Sequence, residues 1–513
     1  MPKGKRKPCI IIPCLDVEGQ HDPNQSQSCE TLMPGCDVWR HLMKNKEKLN
    51  VTELPTITDT TVLLVHASNH NETIGRINIT AKDASEQKVE KLTNVLPLGK
   101  PKNFELVAGL SSKLYVYGAL WQADRRLVRL ISIKVQNYNF RNLLCVLYYS
   151  SLKNQAGVYV KPVVKELHTY KSPYTSASVS CPVKQENGNE VPLFVGLVES
   201  QTATPKRIFV VENRVRDDSF DVKQADYVIE TPKRQVKVDF TVCIPALHGM
   251  DNAVQVMEKL EMNRLLGAGR VVLYNNSINA TVDALLRMYA KEFAEGRESL
   301  EVIVLPWKLP IENEKVISIP YFAQQLAIDD CMYRYKRLST YMIFNDLDEL
   351  LIPLRHANWS GLVAERRKLK PQSIGWLFRC TVMNKDRPSP GTGFEEDALR
   401  YGSAVLGLTM RDQYVFPPSD RPKLLVDPRD IEEMGVHLIW SGKGTTDNLP
   451  VDVGLLFHYR VPINSCTPQI KDTRVVDKFG KRLVPRLKDI WSKMKDVPLK
   501  IKPFVTGDKS TCT

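Results

Sequence analysis

Residues 238–269 read VDFTVCIPALHGMDNAVQVMEKLEMNRLLGAG. An apolar, β-branched run comes first, and from Ala253 apolar side chains recur at helical spacing until Gly269 marks a stop. The same grammar repeats downstream: RVVLYNNS reads as a strand, ATVDALLRMYAKEFAEG as a helix, LEVIVLPW as a strand and PYFAQQLAIDDCMYRYKRL as a helix. Strict alternation predicts an α/β fold, Rossmann-like, with a mostly parallel sheet covered on both faces, because parallel neighbours need a crossover that a helix supplies. Ligands of such sheets bind beyond the carboxyl ends of the strands.

After the third helix the chain reads YMIFNDLDELLIP, Tyr341 to Pro353. Tyr341 to Phe344 read as a buried strand, and Asp346 and Asp348 share one side if the extension continues. Two carboxylates so close repel, and burying them unpaired is costly, so a divalent cation or a proton is expected between them. A solvated turn is the alternative for an arbitrary DxD, but the place at a strand's carboxyl end favours a site.

The rest of the chain sets the context. At 513 residues it exceeds a single core, and 43% hydrophobic with 25% charged residues is ordinary globular composition. Short β-like runs such as KLYVYGALW, VRLISIKV, LLCVLYYS and RIFVVENRV fill the region before Val236. The expected organisation is a Cys-containing leader or stem over 1–50, a β-rich, sandwich-like accessory domain over 51–235, the α/β domain over 236–465 and a basic C-terminal extension over 466–513. The net charge of +13 is scattered apart from the first seven residues and the run from Lys471 to Lys502, and neither an RNP-like pattern nor zinc-finger spacing occurs, so no nucleic-acid partner is expected. No stretch approaches the roughly 18 apolar residues of a membrane span, and CIIIPCL is shorter than a signal core.

Seven N-x-[ST] sequons, at Asn24, Asn50, Asn71, Asn78, Asn275, Asn279 and Asn358, stand where composition alone gives roughly three. With Cys9, Cys14, Cys29 and Cys36 clustered near the start, they lean towards an oxidising secretory lumen. Eleven cysteines leave at least one thiol free, and Cys243, inside an apolar strand, is expected to be that one.

Two enzyme classes place DxD after a strand. Haloacid-dehalogenase-type phosphohydrolases open their domain with it and carry Thr or Val where Leu350 stands here. GT-A glycosyltransferases place it about a hundred residues into a Rossmann-like half, and from Phe240 to Asp346 is 346 − 240 = 106 positions. The ordered set FTVCIPALHG, FNDLDELLIP, RPKLLVDPRDIEEMGVHLIW and LLFHYR, spread over roughly Val236 to Pro462, resembles glycosyltransferase family 92, a galactosyltransferase-like family of animals and plants. The resemblance implies a GT-A fold and metal-dependent, inverting transfer of galactose from UDP-galactose to a glycan or glycoprotein acceptor in β-linkage. It also implies a Golgi-lumenal, type II membrane protein. The implied N-terminal anchor is not visible in this sequence, so the location rests on the sequons and the resemblance.

Asp346 and Asp348 are then hard oxygen ligands for Mn²⁺ or Mg²⁺ that also hold the donor diphosphate. His458 is either a third metal ligand, which would favour Mn²⁺, or a satisfied core histidine. Lys423 and Arg460 offer cations to the diphosphate, and His437 lines the sugar pocket or is structural. Trp376 and Trp440 stack on a sugar face or belong to the core. Inversion needs a carboxylate base, for which Glu349 and the cluster Glu395, Glu396 and Asp397 are the candidates. WSGKGTT is a turn, because the spacing from Gly435 to Gly442 breaks the P-loop pattern. Phosphoryl hydrolysis at Asp346 and an inert glycan-binding protein are the competing readings.

Overall fold

The computed structural model describes residues 9–10, 64–68, 71–75, 103–149, 157–167, 172–184, 190–213, 237–311, 319–385, 391–460, 467–497 and 499–501. The chain divides into two compact units, Met1–Lys88 and Val89–Thr513. In the first, Cys9–Ile10, Leu64–Ser68 and Asn71–Gly75 form a three-stranded antiparallel sheet. The remaining leader cysteines and the sequons at Asn24, Asn50 and Asn78 lie outside the described residues.

The second unit holds two large sheets. The β-rich one has nine strands, eight in one path and Glu105–Leu106 paired beside it, antiparallel except where Ile208–Glu212 meets Leu114–Gln122. A disulfide joins Cys145 to Cys181, on strands far apart in that path, so the sheet curls until its halves share a core with Val116, Val128, Leu147 and Val195. Strand alternation sends the other face elsewhere. Tyr115 and Tyr117 leave that core for one shared with Cys243, Val272, Trp307 and Met342 of the α/β part, and the Tyr117 hydroxyl donates to the Pro306 carbonyl at 3.0 Å. The expected domain boundary at 235 is therefore not a structural one: the apolar faces of the two sheets bury each other.

In the α/β part, β1 (Val238–Leu247), α1 (Ala253–Leu266), β2 (Arg270–Asn275), α2 (Ala280–Ala294), β3 (Glu301–Pro306), α3 (Gln324–Tyr335) and β4 (Ser339–Phe344) follow in the expected alternation. Asn252 caps α1 by accepting from the Gln255 N–H at 3.1 Å. The stop is Gly267, two residues before the expected glycine; its φ of 114° is open to glycine but strained for other residues. The strand order β3-β2-β1-β4 is parallel throughout.

Beyond β4 the sheet is mixed, which corrects the mostly parallel expectation. β5 (Glu349–Pro353), α4 (Trp359–Leu369), β6 (Ser373–Asn384), α5 (Glu395–Tyr401), β7 (Lys423–Val426) and β8 (Gly454–Arg460) follow in sequence. β7 runs antiparallel to both β4 and β6, while β5 pairs antiparallel with β8, which lies parallel to β6.

The last helix, α6 (Arg474–Lys493), corrects a further boundary. Val475, Val476, Phe479, Leu483, Leu487 and Ile490 are all buried in the core beneath α1, so residues 474–493 belong to the fold rather than to an extension. Each such side chain contributes about 1.5–3 kcal/mol of burial before entropy is counted. Arg486 Nε donates at 2.8 Å to the buried Glu261 carboxylate of α1, which also accepts from the Tyr289 hydroxyl at 2.7 Å.

Cys243 is not free: it is bonded to Cys331, tying β1 to α3 across a separation of 88 residues. Among the described residues the free thiol is the buried Cys380 on β6. A constraint on so long a loop stabilises by limiting the unfolded chain. Replacing Cys243 and Cys331 together by Ala should lower the unfolding free energy by about 2–5 kcal/mol in urea titrations, and an unchanged midpoint would mean that the two thiols do not pair.

Candidate active site

The apolar β4 ends at Phe344, with Met342, Ile343 and Phe344 buried. The chain does not stay extended: residues 345–348 turn, and β5 begins at Glu349. Alternation therefore does not set where the two aspartates point, and they find different partners. The turn closes on itself. The Asn345 side-chain amide donates to the Glu349 carbonyl at 2.8 Å, the Asp346 N–H to Glu349 Oε2 at 2.8 Å, and the Glu349 N–H to the Asp346 carbonyl at 3.2 Å. Lys259, projecting from α1, donates from one buried ammonium to the carbonyls of Asp346, at 3.0 Å, and Glu349.

Around the turn the charges interlock. Asp346 accepts from Lys423 Nζ at 3.0 Å through Oδ2 and from Gln324 Nε2 at 2.9 Å through Oδ1. Lys423 also lies 3.4 Å from Glu349 Oε2, and both of these side chains are nearly fully buried, at 2% and 3% exposure. The β5–β8 pairing sets Glu349 opposite His458, whose Nε2 is 3.2 Å from Asp348 Oδ2. Asp346 and Asp348 keep about a third of their side-chain surface exposed, at 36% and 30%.

Burial works to raise the Asp348 carboxyl, but the hydrogen bond and charge of His458, with Lys385 beyond, outweigh it and hold its pKa below the usual value. Burial likewise raises Glu349 and there prevails over the Lys423 charge. The same burial pushes Lys259 down to about 7 against the pull of Glu349, Asp348 and Asp346.

No three His, Cys, Asp or Glu side chains among the described residues close up as a ready ion cage. The 3.2 Å between Asp348 Oδ2 and His458 Nε2 is nevertheless the spacing of two neighbouring ligands about 2.2 Å from one ion. Two carboxylates and one imidazole are donor types that would fit Mn²⁺, although here Asp346 is held by Lys423 and Gln324. Beside Asp348 lies a pocket of about 30 Å³ lined by Gln255, Lys259, Lys385 and Tyr459 among others, with room for a water or one polar group.

The remaining expected residues separate. His437 Nδ1 donates to the Pro422 carbonyl at 2.9 Å next to Lys423; its burial and the Lys423 charge lower its pKa, so it is a neutral neighbour of the site. Arg460 ends β8, and its carbonyl accepts from the Lys385 N–H at 3.2 Å. Trp376 is fully buried against Tyr341 and is core, not a sugar platform, whereas Trp440 stays 39% exposed. Glu395 folds back to accept from the N–H groups of Gly391 and Thr392, and such backbone donors hold its pKa down to about 2. Glu349 is in the site but buried, engaged by Asp346 and Lys423, and acts on the turn rather than on a substrate. Glu396, exposed on α5, and its partly buried neighbour Asp397 are the remaining candidates for that role.

Sequence reasoning missed Lys259, Gln324 and Lys385. Only Lys259 carried a signal, being a lysine set among the apolar Val256, Met257 and Leu260 of α1. Lys423→Met should destabilise the fold by about 3–5 kcal/mol in urea titrations, because it leaves Asp346 and Glu349 without their cation. Glu349 already has a folded pKa above its unfolded 4.5, so the folded state holds its proton to higher pH; losing Lys423 extends this, and the deficit should grow as pH rises from about 4.5. A deficit independent of pH would contradict the pairing.

Known proteins place this geometry. The model of glycosyltransferase family 92 matches residues 238–504, about half the chain, from β1 to beyond α6. Over 203 residues the chain is 26% identical to "Beta-1,4-galactosyltransferase galt-1" of Caenorhabditis elegans, which covers 38% of this chain and 41% of that protein. Over 188 residues it is 25% identical to "Galactan beta-1,4-galactosyltransferase GALS2" of Arabidopsis thaliana, covering 36% and 34%. A match to "Glycosyltransferase family 92 protein F13G3.3" of Caenorhabditis elegans is 29% identical over 127 residues, covering 23% and 24%. The matched segments thus span less than half of each of these three relatives. A family match that starts at β1, takes in the aspartate turn and His458 and ends past the helix that closes the core places the chain in glycosyltransferase family 92.

Proposed function

We propose that this protein is a metal-dependent, inverting glycosyltransferase that moves galactose from UDP-galactose to a glycan acceptor in β-linkage. The observation that carries the reading is the Asp348–His458 contact at the carboxyl end of β4, where an α/β sheet binds its ligands. Galactose as the transferred sugar, and the β-linkage, are drawn from the names of the relatives.

Asp346, Asp348 and His458 would hold Mn²⁺, which when bound supplies a Lewis acid for the charge on the departing diphosphate. The chain's other groups have separate tasks. Lys259, Gln324, Lys423 and Glu349 fix the turn that carries the two aspartates. Arg460 offers a planar cation to the diphosphate. Glu396 takes the proton of the acceptor hydroxyl as that oxygen attacks the anomeric carbon. The phosphohydrolase alternative finds a lysine beside Asp346, but Gln324 occupies the other carboxylate oxygen, and the family match favours transfer.

Two disulfides among the described residues support folding in an oxidising lumen, in keeping with the sequons. Asn279 and Asn358 both cap helices through Oδ1; Asn279 Nδ2 also donates to the Asp251 carbonyl at 3.2 Å, so of the two Asn358 is the better placed to carry a glycan. The Golgi lumen is the location this reading proposes. No helix among the described residues is long and apolar enough to cross a membrane.

Asp348→Asn keeps the shape of the turn and relieves repulsion, so the melting temperature without ligand should stay near that of wild type. Mn²⁺ with UDP should raise the wild-type melting temperature, since a ligand bound by the native state alone stabilises it. In the variant, UDP affinity should fall by at least 10–100-fold; an equal shift in both proteins would reduce the two aspartates to a solvated turn. Glu396→Gln should lower kcat by roughly 10²–10⁴-fold with donor binding intact, and unchanged turnover would assign the base elsewhere.

A further inference from the structure

Three lysines stand around the aspartate turn, and two have their ammonium groups engaged: Lys423 by Asp346 and Glu349, Lys259 by two backbone carbonyls. The third, Lys385, directly follows β6, where Val382 and Asn384 register with His458 and Arg460 of β8. Its N–H is fixed to the Arg460 carbonyl, and its side chain lines the pocket beside Asp348 with Gln255 and Tyr459. Among the described residues its ammonium makes no hydrogen bond or ion pair, though its charge acts on Asp348 and Glu258. Tyr459, fully enclosed in the wall of the same pocket, has a hydroxyl without a hydrogen-bond partner.

We infer that Lys385 is a diphosphate-binding residue of the transfer reaction, a cation that meets the leaving group from the wall of this pocket. The inference rests on the glycosyltransferase reading. Its chemistry follows from charge. The bond from the anomeric carbon to the β-phosphate oxygen breaks with its electron pair on that oxygen. A bond from the acceptor oxygen forms in its place, and the acceptor proton passes to Glu396. Negative charge therefore grows on the diphosphate during the step, and a preorganised ammonium beside it stabilises the transition state more than the ground state. Lys423 cannot do this without abandoning two carboxylates, and Lys259 cannot without releasing the turn. Lys385 gives up no bond by doing it.

The test compares wild type, Lys385→Gln and Lys385→Arg for UDP and uridine binding with Mn²⁺ by calorimetry, and for turnover with UDP-galactose. Lys385 is partly exposed and its side chain makes no hydrogen bond, but its charge acts on Asp348 and Glu258, so without ligand Lys385→Arg should melt like wild type and Lys385→Gln only slightly lower. Lys385→Gln should bind UDP about 10–100-fold more weakly, the scale of one charged hydrogen bond, while uridine affinity stays unchanged. Its kcat should fall roughly 100-fold, and Lys385→Arg should recover most of both losses. If Lys385→Gln binds UDP and turns over like wild type, Lys385 is a solvated surface charge and the inference is overturned. If UDP and uridine affinities fall together, the residue serves the nucleoside or the fold, and the inference is again overturned. A folded wild type that binds no UDP with Mn²⁺ would overturn the glycosyltransferase reading itself, an outcome distinct from both.

Discussion

One buried ammonium ties the aspartate turn to the first helix of the α/β part. Lys259 reaches from the first helix to the carbonyls of Asp346 and Glu349, and it is buried, so leaving either side unpaired would cost the desolvation of a charge or of two carbonyls. Its grip explains why the turn departs from the line of β4 at Asn345 instead of extending the strand. Once the turn is set, Glu349 can cap the Asp346 N–H and face Lys423, and β5 can pair with β8 so that His458 arrives beside Asp348. Four elements distant in sequence, α1, β5, β7 and β8, thereby fix two partly exposed carboxylates by means of buried charge. Such networks are strong only when complete.

The parts of this arrangement that are local were legible in the sequence. Strand and helix alternation from Val238 to Tyr335 follows from two periodicities visible within any short window, and the place of Asp346 and Asp348 at a strand's carboxyl end follows from the alternation. What depends on pairing across long separations was not legible. Cys243 looked like a core hydrophobe because nothing near it announces Cys331, 88 residues away. The parallel order of the first four strands was inferred, but the antiparallel β7 comes about eighty residues after β4, and no periodicity reports register over that distance.

Composition misled in two other places. The C-terminal region reads as basic because Lys and Arg fill the outer face of α6, while its inner stripe from Val475 to Ile490 closes the core over α1. Gly480 sits where a Cβ would come within 2.7 Å of the Phe394 ring, so that helix also seats α5 and the acidic residues it carries. Glu395, first in that acidic run, is spent on the backbone of its own loop, a local bond that no count of acids distinguishes from a free base. The β-rich half was recognised as β but not as inseparable. Trp307 of the α/β part packs among Phe104, Tyr117 and Tyr274, so the two halves share one aromatic cluster.

The central claim is that Asp348 and His458 share a metal ion that holds the donor's diphosphate. Anomalous diffraction from a crystal grown with Mn²⁺ and UDP tests it most directly. The account predicts a manganese peak within about 2.3 Å of Asp348 Oδ2 and His458 Nε2, with Asp346 turned from Lys423 towards the ion and diphosphate oxygens completing its shell. Manganese absent from that position, with UDP bound elsewhere and the Asp348–His458 hydrogen bond intact, would contradict it.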